Sequence, residues 1–320
     1  MTATRWPALR VEDWTATRET LHRWTQIVGK IRLAQAPMVN HWWQVTLYVT
    51  PRGLTTSSMP AGDRVLEIEF DFCAHQLRIT VDGGEHREIA LQPKTVAAFY
   101  GEVMDALGSL DLDISIWPVP VEIEHAIPFD QDTEQAGYDA AAAQLFWRRL
   151  VQVDRVLSVF RARFAGKVSP VHFIWGAMDM AVTRFSGRLA PRHPGGAPNC
   201  GDWVMVEGYS HELASCGFWP GGGEEGAFYA YAYPEPDGYS ARRSRPLTRS
   251  TRPTTASSCC PARRSAPRPS PTRPCWRSYR PPTKRPPTPA AGTAASSSTY
   301  PSRAPAPAAD GADQPRRWSA

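Results

Sequence analysis

Histidines, carboxylates and indole rings recur together at three places in this chain. His41 leads Trp42 and Trp43; His172 leads Trp175, with Asp179 four residues on; Ser210-His211-Glu212 precedes Ser215, Cys216 and Trp219. The string Thr183-Arg184-Phe185-Ser186-Gly187 lies between the last two groups. Flat apolar walls with a few orienting polar groups suit a small-ligand pocket. On a strand, Trp175 and Asp179 would share a face, as would His211 and Ser215. The competing reading of each residue is an interior polar group with its hydrogen bond satisfied. The candidate catalytic residues are His172, His211, Glu212 and Asp179. The candidate ligand-binding residues are His41, Trp43, Trp175, Arg184 and Trp219.

The sharpest version of such a site is a metal centre. His41, His172 and His211, with Glu212 or Asp179, are ligand types suited to zinc or iron. Their spacing matches no tight ligand motif such as H-E-x-x-H, so neither metal nor cofactor is assigned. A nucleophile is a second version, with His211 activating Ser215 or Cys216. Strand alternation favours Ser215, and no G-x-S-x-G elbow accompanies it. Val28-Gly29-Lys30-Ile31 lacks the earlier Gly and the following Ser/Thr of a phosphate loop and falls inside a helical pattern. Trp219-Pro220-Gly221-Gly222-Gly223 reads as a hairpin turn.

The elements that must position these groups follow from periodicity. Leu21, Trp24, Val28 and Ile31 fall at helical spacing after the possible caps Asp13 and Thr15, and Ala36-Pro37 ends that helix. A strand is expected over 41–50. Residues 65–72 alternate, with Leu66, Ile68, Phe70 and Phe72 inward and Glu67, Glu69 and Asp71 outward. Strands at 76–81 and 88–91, a helix at 95–107 and a strand at 113–117 follow. Residues 118–138 read as a connector. Asp139 caps a long helix with the seam Phe146, Leu150, Val153, Leu157, Phe160 and Phe164. Strands are expected at 171–184, 209–219 and 227–233. The pattern describes an α+β fold with antiparallel sheets, in two pseudo-repeated halves, 1–117 and 139–240.

Composition breaks near Ser240. Residues 241–320 hold 16 Lys and Arg against 2 Asp and Glu, so the preceding residues are acidic although the whole chain is formally +5. Two readings fit this tail. One is a disordered basic arm. The other is a GC-rich gene read out of frame, which yields mostly Arg, Pro, Ala, Ser and Thr. Joining the third base of each codon to the next two recodes 255–261 as Gly-Glu-Phe-Leu-Leu-Pro, a strand-like run. The same shift turns 274–288 into an amphipathic helix. That consistency favours the frameshift and makes Cys259, Cys260 and Cys275 artefacts. Cys73, Cys200 and Cys216 remain, an odd and widely spaced set without a signal peptide, which reads as a reduced, cytoplasmic protein. No apolar run approaches the ~18 residues of a membrane helix. The acidic body argues against nucleic acid as a partner, and the oligomeric state is not legible.

Several strings carry a resemblance. Trp6-Pro7, the run from Thr20 to Lys30, Asn40-His41-Trp42-Trp43, Arg52-Gly53-Leu54-Thr55-Thr56 and Ile68-Glu69-Phe70-Asp71-Phe72 form one group. Ser169-Pro170-Val171-His172-Phe173, Thr183-Arg184-Phe185-Ser186-Gly187, Ser210-His211-Glu212 and Gly217-Phe218-Trp219-Pro220-Gly221-Gly222 form another. Together they resemble a bacterial family catalogued as domain of unknown function 5996, over about residues 5–240. The resemblance implies a continuation after Asp237 with a strand ending Phe-Leu-Leu-Pro and a helix, the two elements that recoding recovers. It implies no activity. The expected function is binding of a small molecule in a Trp/His-lined pocket. Metal-assisted or hydrolytic chemistry through His172 and His211, and partner binding through exposed aromatics, stand as alternatives.

Overall fold

The computed structural model describes residues 6–239. The expectations of a disordered or out-of-frame tail fall outside the described residues. The chain is α+β, with two antiparallel sheets and four helices among the described residues. The helices are α1 (Thr15–Gln35), α2 (Val96–Gly108), α3 (Ala140–Ala162) and α4 (Asp202–Gly208). The first sheet runs β1 (Tyr48–Val49), β2 (Gly53–Thr55), β4 (Arg64–Asp71), β5 (Gln76–Val81), β6 (His86–Ala90), with β3 (Met59–Ala61) also on β4. The second has the order β10 (Ala227–Tyr233), β9 (His211–Trp219), β8 (Asp179–Leu189), β7 (His172–Ile174). No helix among the described residues is long and apolar enough to cross a membrane.

Periodicity located the apolar faces correctly. Leu21, Trp24, Val28 and Ile31 are all fully buried. Full burial of each such side chain stabilises by about 1.5–3 kcal/mol. The Trp24 indole stacks on Phe99 of α2 at 4.4 Å, and Phe99 faces Phe70 of β4 at 6.5 Å, so α1, α2 and the first sheet share one core. Asp139 caps α3, its carboxylate accepting the N–H of Ala142 at 2.8 Å. The α3 seam is buried through Phe160. It packs on the second sheet, with Phe146 against Phe173 at 6.3 Å and the Arg184 guanidinium over the Phe160 ring at 3.6 Å.

Four local expectations need correction. Residues 41–50 are not a continuous strand: Asn40–Val45 turns in 3-10 fashion, Tyr48–Val49 pairs with β2, and Leu47 bridges Phe173. His41 and Trp42 both take φ 61°, which no strand accommodates. Residues 171–184 split into β7 and β8 around a turn with Met178 at φ 55°. Residues 113–117 keep the alternation of a strand, with Ile114 and Ile116 buried, but make no ladder. Asp71, expected to face water, is 1% exposed; it pairs with Arg52 at 2.5 Å and accepts the N–H groups of Cys73 and Ala74.

Register assigns the two faces of the second sheet. Phe173, Met180, Val182, Arg184, Ala214, Cys216 and Phe218 share the α3 side. His172, Asp179, Ala181, Thr183, Phe185, Leu213, Ser215, Gly217, Tyr229 and Tyr231 share the other. That second face is polar and aromatic, with the small residues Ala181 and Gly217 side by side at its centre.

Candidate functional site

One end of this polar face gathers rings and cations. The His41 imidazole stacks on Phe185 at 4.2 Å and meets His211 edge-on at 5.6 Å and Trp43 at 5.8 Å. Trp43 in turn faces His172 at 6.0 Å, and Tyr48 faces His172 at 5.7 Å. The backbone explains the meeting. The left-handed turn at His41 and Trp42 swings these rings toward β8, and α4 holds the turn. The His41 N–H donates to Glu207 at 3.0 Å, and the Trp42 indole N–H donates to the carbonyl of Val204 at 3.0 Å.

The cations come from outside the sheet. Lys167 Nζ donates to His41 Nε2 at 3.0 Å and stands 5.3 Å from Trp43 and 5.2 Å from Phe185. Arg32 of α1 lies over Tyr48 at 5.4 Å. Burial, then Arg32 and Arg161, push the His172 imidazole down to about 3. Burial and Lys167 also lower His41. His172 is therefore neutral at neutral pH, far from the range of an effective general base. Lys167, Arg32 and Arg161 form no ion pair among the described residues, and their bonds there run to imidazole or backbone carbonyl. His172 Nε2 and Arg32 Nη1 are buried without a hydrogen-bond partner among the described residues, while the His41 ring faces the backbone of Glu207 and Gly208.

Beyond His172 lies a pair of carboxyls, Asp179 and Glu122. Asp179 is 7% exposed and accepts the Tyr229 hydroxyl across Gly217, where a Cβ would overlap that hydroxyl. Its second oxygen has no partner among the described residues. Burial holds Asp179 up at about 6. Glu122 lies against Gly176, and crowding by surrounding protein followed by the charge of Asp179 holds it up at about 7. More than a third of Glu122 remains accessible, so solvent reaches it beside Gly176. Gln26 of α1 seats this segment: its amide donates to the carbonyl of Val121 at 2.9 Å and accepts the Val121 N–H at 2.8 Å. The Glu122 N–H donates to the carbonyl of Pro198 at 2.7 Å, which brings Cys200 close.

The structure therefore gathers His41, Trp43, His172 and His211, and sets Asp179 on the same face of the neighbouring strand, two residues from the position opposite His172. Trp175 sits in the β7–β8 turn, its indole donating to the carbonyl of Val45 at 2.7 Å, and does not share a strand with Asp179. Arg184 faces α3, opposite the histidines. Glu212 is engaged by Arg188 at 2.5 Å and by Ser186, which lowers its carboxyl. Trp219 ends β9 beside Gly221 and Gly222. Ser215 bonds Thr183 at 3.2 Å while His211 bonds Ser210 at 3.1 Å, so no hydrogen bond joins the serine to this histidine. Among the described residues no three His, Cys, Asp or Glu side chains converge as metal ligands. The sequence did not single out Lys167, Arg32, Glu122 or Tyr229, and named Phe185 only inside a longer string, because tertiary packing alone brings each to the polar groups it meets.

The model of a family described as a family of unknown function (DUF5996) matches residues 6–254. No curated protein and no solved structure matches the chain.

Proposed function

Because the chain belongs to the DUF5996 family, whose description assigns no activity, we propose from the site itself that it binds a small anion carrying a flat ring. The binding place is the His41–Trp43–His172 end of the second sheet. One observation carries this reading: Lys167, Arg32 and Arg161 gather there without carboxylate partners among the described residues, beside two buried polar atoms, His172 Nε2 and Arg32 Nη1, that also lack partners there. An unpaired buried polar group costs about 1–3 kcal/mol, so a fold retains several together where a ligand completes them. Trp43, Phe185 and Tyr48 supply ring surfaces against which a planar ligand can stack. Neutral imidazoles can donate one N–H each to an anion, and Lys167 supplies the charge.

Benzoate against benzamide is the direct comparison, read by tryptophan fluorescence. Benzoate should bind more tightly than the isosteric amide. Lys167→Met should weaken benzoate binding about tenfold or more, the loss of one charge-assisted contact. Equal binding of acid and amide, or indifference to Lys167→Met, would remove the anion from this reading.

A further inference from the structure

β8 and β9 are antiparallel neighbours, with Leu189 opposite His211 where their ladder ends. About two to five residues suffice to join two such strands. Here residues 190–210 intervene, and the Ala190 N–H, donating to the Ser210 carbonyl at 3.0 Å, closes their neck. Connections of this length without a large structure of their own are commonly functional. Between Gly195–Gly196, at φ 78° and 90°, and Gly208, the chain forms a strap that carries α4.

The strap is fastened in two places. At one, the Pro198 carbonyl accepts the Glu122 N–H and Asn199 Nδ2 donates to the Ile123 carbonyl, both at 2.7 Å. At the other, Glu207 accepts the His41 N–H and the Val204 carbonyl accepts the Trp42 indole N–H, both at 3.0 Å. Glu122 lies against Gly176 of the β7–β8 turn, and His41 lies on Phe185 of β8. The strap thus reaches along the polar face from the Asp179 side to the histidine rings.

Each of these bonds has a partner held in the left-handed region: Glu122 at φ 59°, Asn199 at φ 51°, His41 and Trp42 at φ 61°. They are four of the eight non-glycine residues with positive φ among the described residues, so half of this strain sits where one segment is fastened. Strained backbone persists only where contacts enforce it, and it relaxes when those contacts part. α4 buries none of its residues, and segments with little buried apolar surface open at low cost. Meanwhile His41, His172 and Phe185 are only 8%, 4% and 3% exposed, so a ligand reaches their rings only after some element moves.

We propose that the strap is a strained lid on the binding face. It unfastens at both places as one body, turning on Gly195–Gly196 and Gly208, to admit the flat anion, and it closes over the bound ring. The lid's purpose rests on the anion reading above; its motion does not.

Hydrogen exchange of the full chain, read by peptide mass spectrometry with and without benzoate, tests this. In the free protein, peptides covering 202–208 and Glu122 should exchange at least tenfold faster than the ladder of β8 and β9. Glu207→Ala cuts only the fastening at His41, yet should speed exchange at Glu122 several-fold and leave the ladder unchanged. Asn199→Ala, at the other fastening, should do the same to the His41 amide. Saturating benzoate should slow exchange of the strap several-fold. A strap as protected as the ladder would overturn the lid whether or not benzoate binds, as would faster exchange confined to the cut fastening in both variants. Benzoate that binds, by tryptophan fluorescence, but leaves strap exchange unchanged would also overturn it. Failure of benzoate to bind removes the anion reading instead, because the free-protein exchange is read without it.

Discussion

Replacing Asp179 with Asn will raise the thermal midpoint of unfolding at pH 8 and leave it nearly unchanged at pH 4. Burial raises this carboxyl from its ordinary 3.8 to about 6, against the opposing hydrogen bond from Tyr229. The native state therefore binds more protons than the unfolded chain between those two values. Stability contributed by the neutral acid is present below the unfolded value and is lost as pH rises through the native one. Two units correspond to about 2–3 kcal/mol. Asn stays neutral and can still accept the Tyr229 hydroxyl, so the variant avoids that loss. The expected gain at pH 8 is roughly 4–8 °C for a folded unit of this size. Both proteins share the buried histidines, whose lowered values destabilise the native state below pH 6.5, so the difference isolates Asp179. An equal gain at pH 4 would mean that packing, not ionisation, is responsible. A native protein that keeps a costly ionised carboxyl on its polar sheet face fits a site held for function at the expense of stability.

Gly29→Ala will destabilise the protein even though Ala is the best helix former. Propensity alone favours Ala over Gly by about 1 kcal/mol in a helix interior. At Gly29 a Cβ would overlap the Trp175 indole, which is anchored by its bond to the carbonyl of Val45 and cannot move freely. Overpacking of this kind costs about 1–3 kcal/mol, occasionally more, and here three ring atoms collide at once. We expect a net loss of about 2 kcal/mol. Gly101 of α2 is the control, because a Cβ there meets nothing within 4 Å. Gly101→Ala should therefore stabilise by up to about 1 kcal/mol. Denaturant unfolding of the two variants reads the opposite signs, and a stable Gly29→Ala protein would show that Trp175 is not seated on α1. The displaced indole should also loosen the β7–β8 turn that carries Gly176 and Met178.

Much of the fold was legible because its signals are local. The α1 and α3 stripes, the Asp139 cap and the alternation of β4 each follow from side-chain spacing within one element. The turn at 41–45 was not, because β-branched and aromatic composition favours a strand while His41 and Trp42 are forced left-handed by contacts with α4. Residues 113–117 show the converse: alternation survives where an extended segment is buried on one side, with or without a ladder partner. For the site, the residue types were readable but not their grouping. His41, Trp43, His172 and His211 come within ring-contact distance of one another. Arg184 was lost to the α3 face because one break in a strand resets which side chains share a face. Glu122 lies in an irregular connector, so its position does not mark itself without the tertiary fold.

A crystal structure of the protein soaked in benzoate reads the ligand's place most directly. The carboxylate should lie within hydrogen-bond reach of Lys167 or Arg32, with the ring against Trp43 or Phe185. Benzoate found only elsewhere, for example in the surface groove lined by Pro51, Leu145 and Trp147, would contradict the assignment of that sheet face as the binding site.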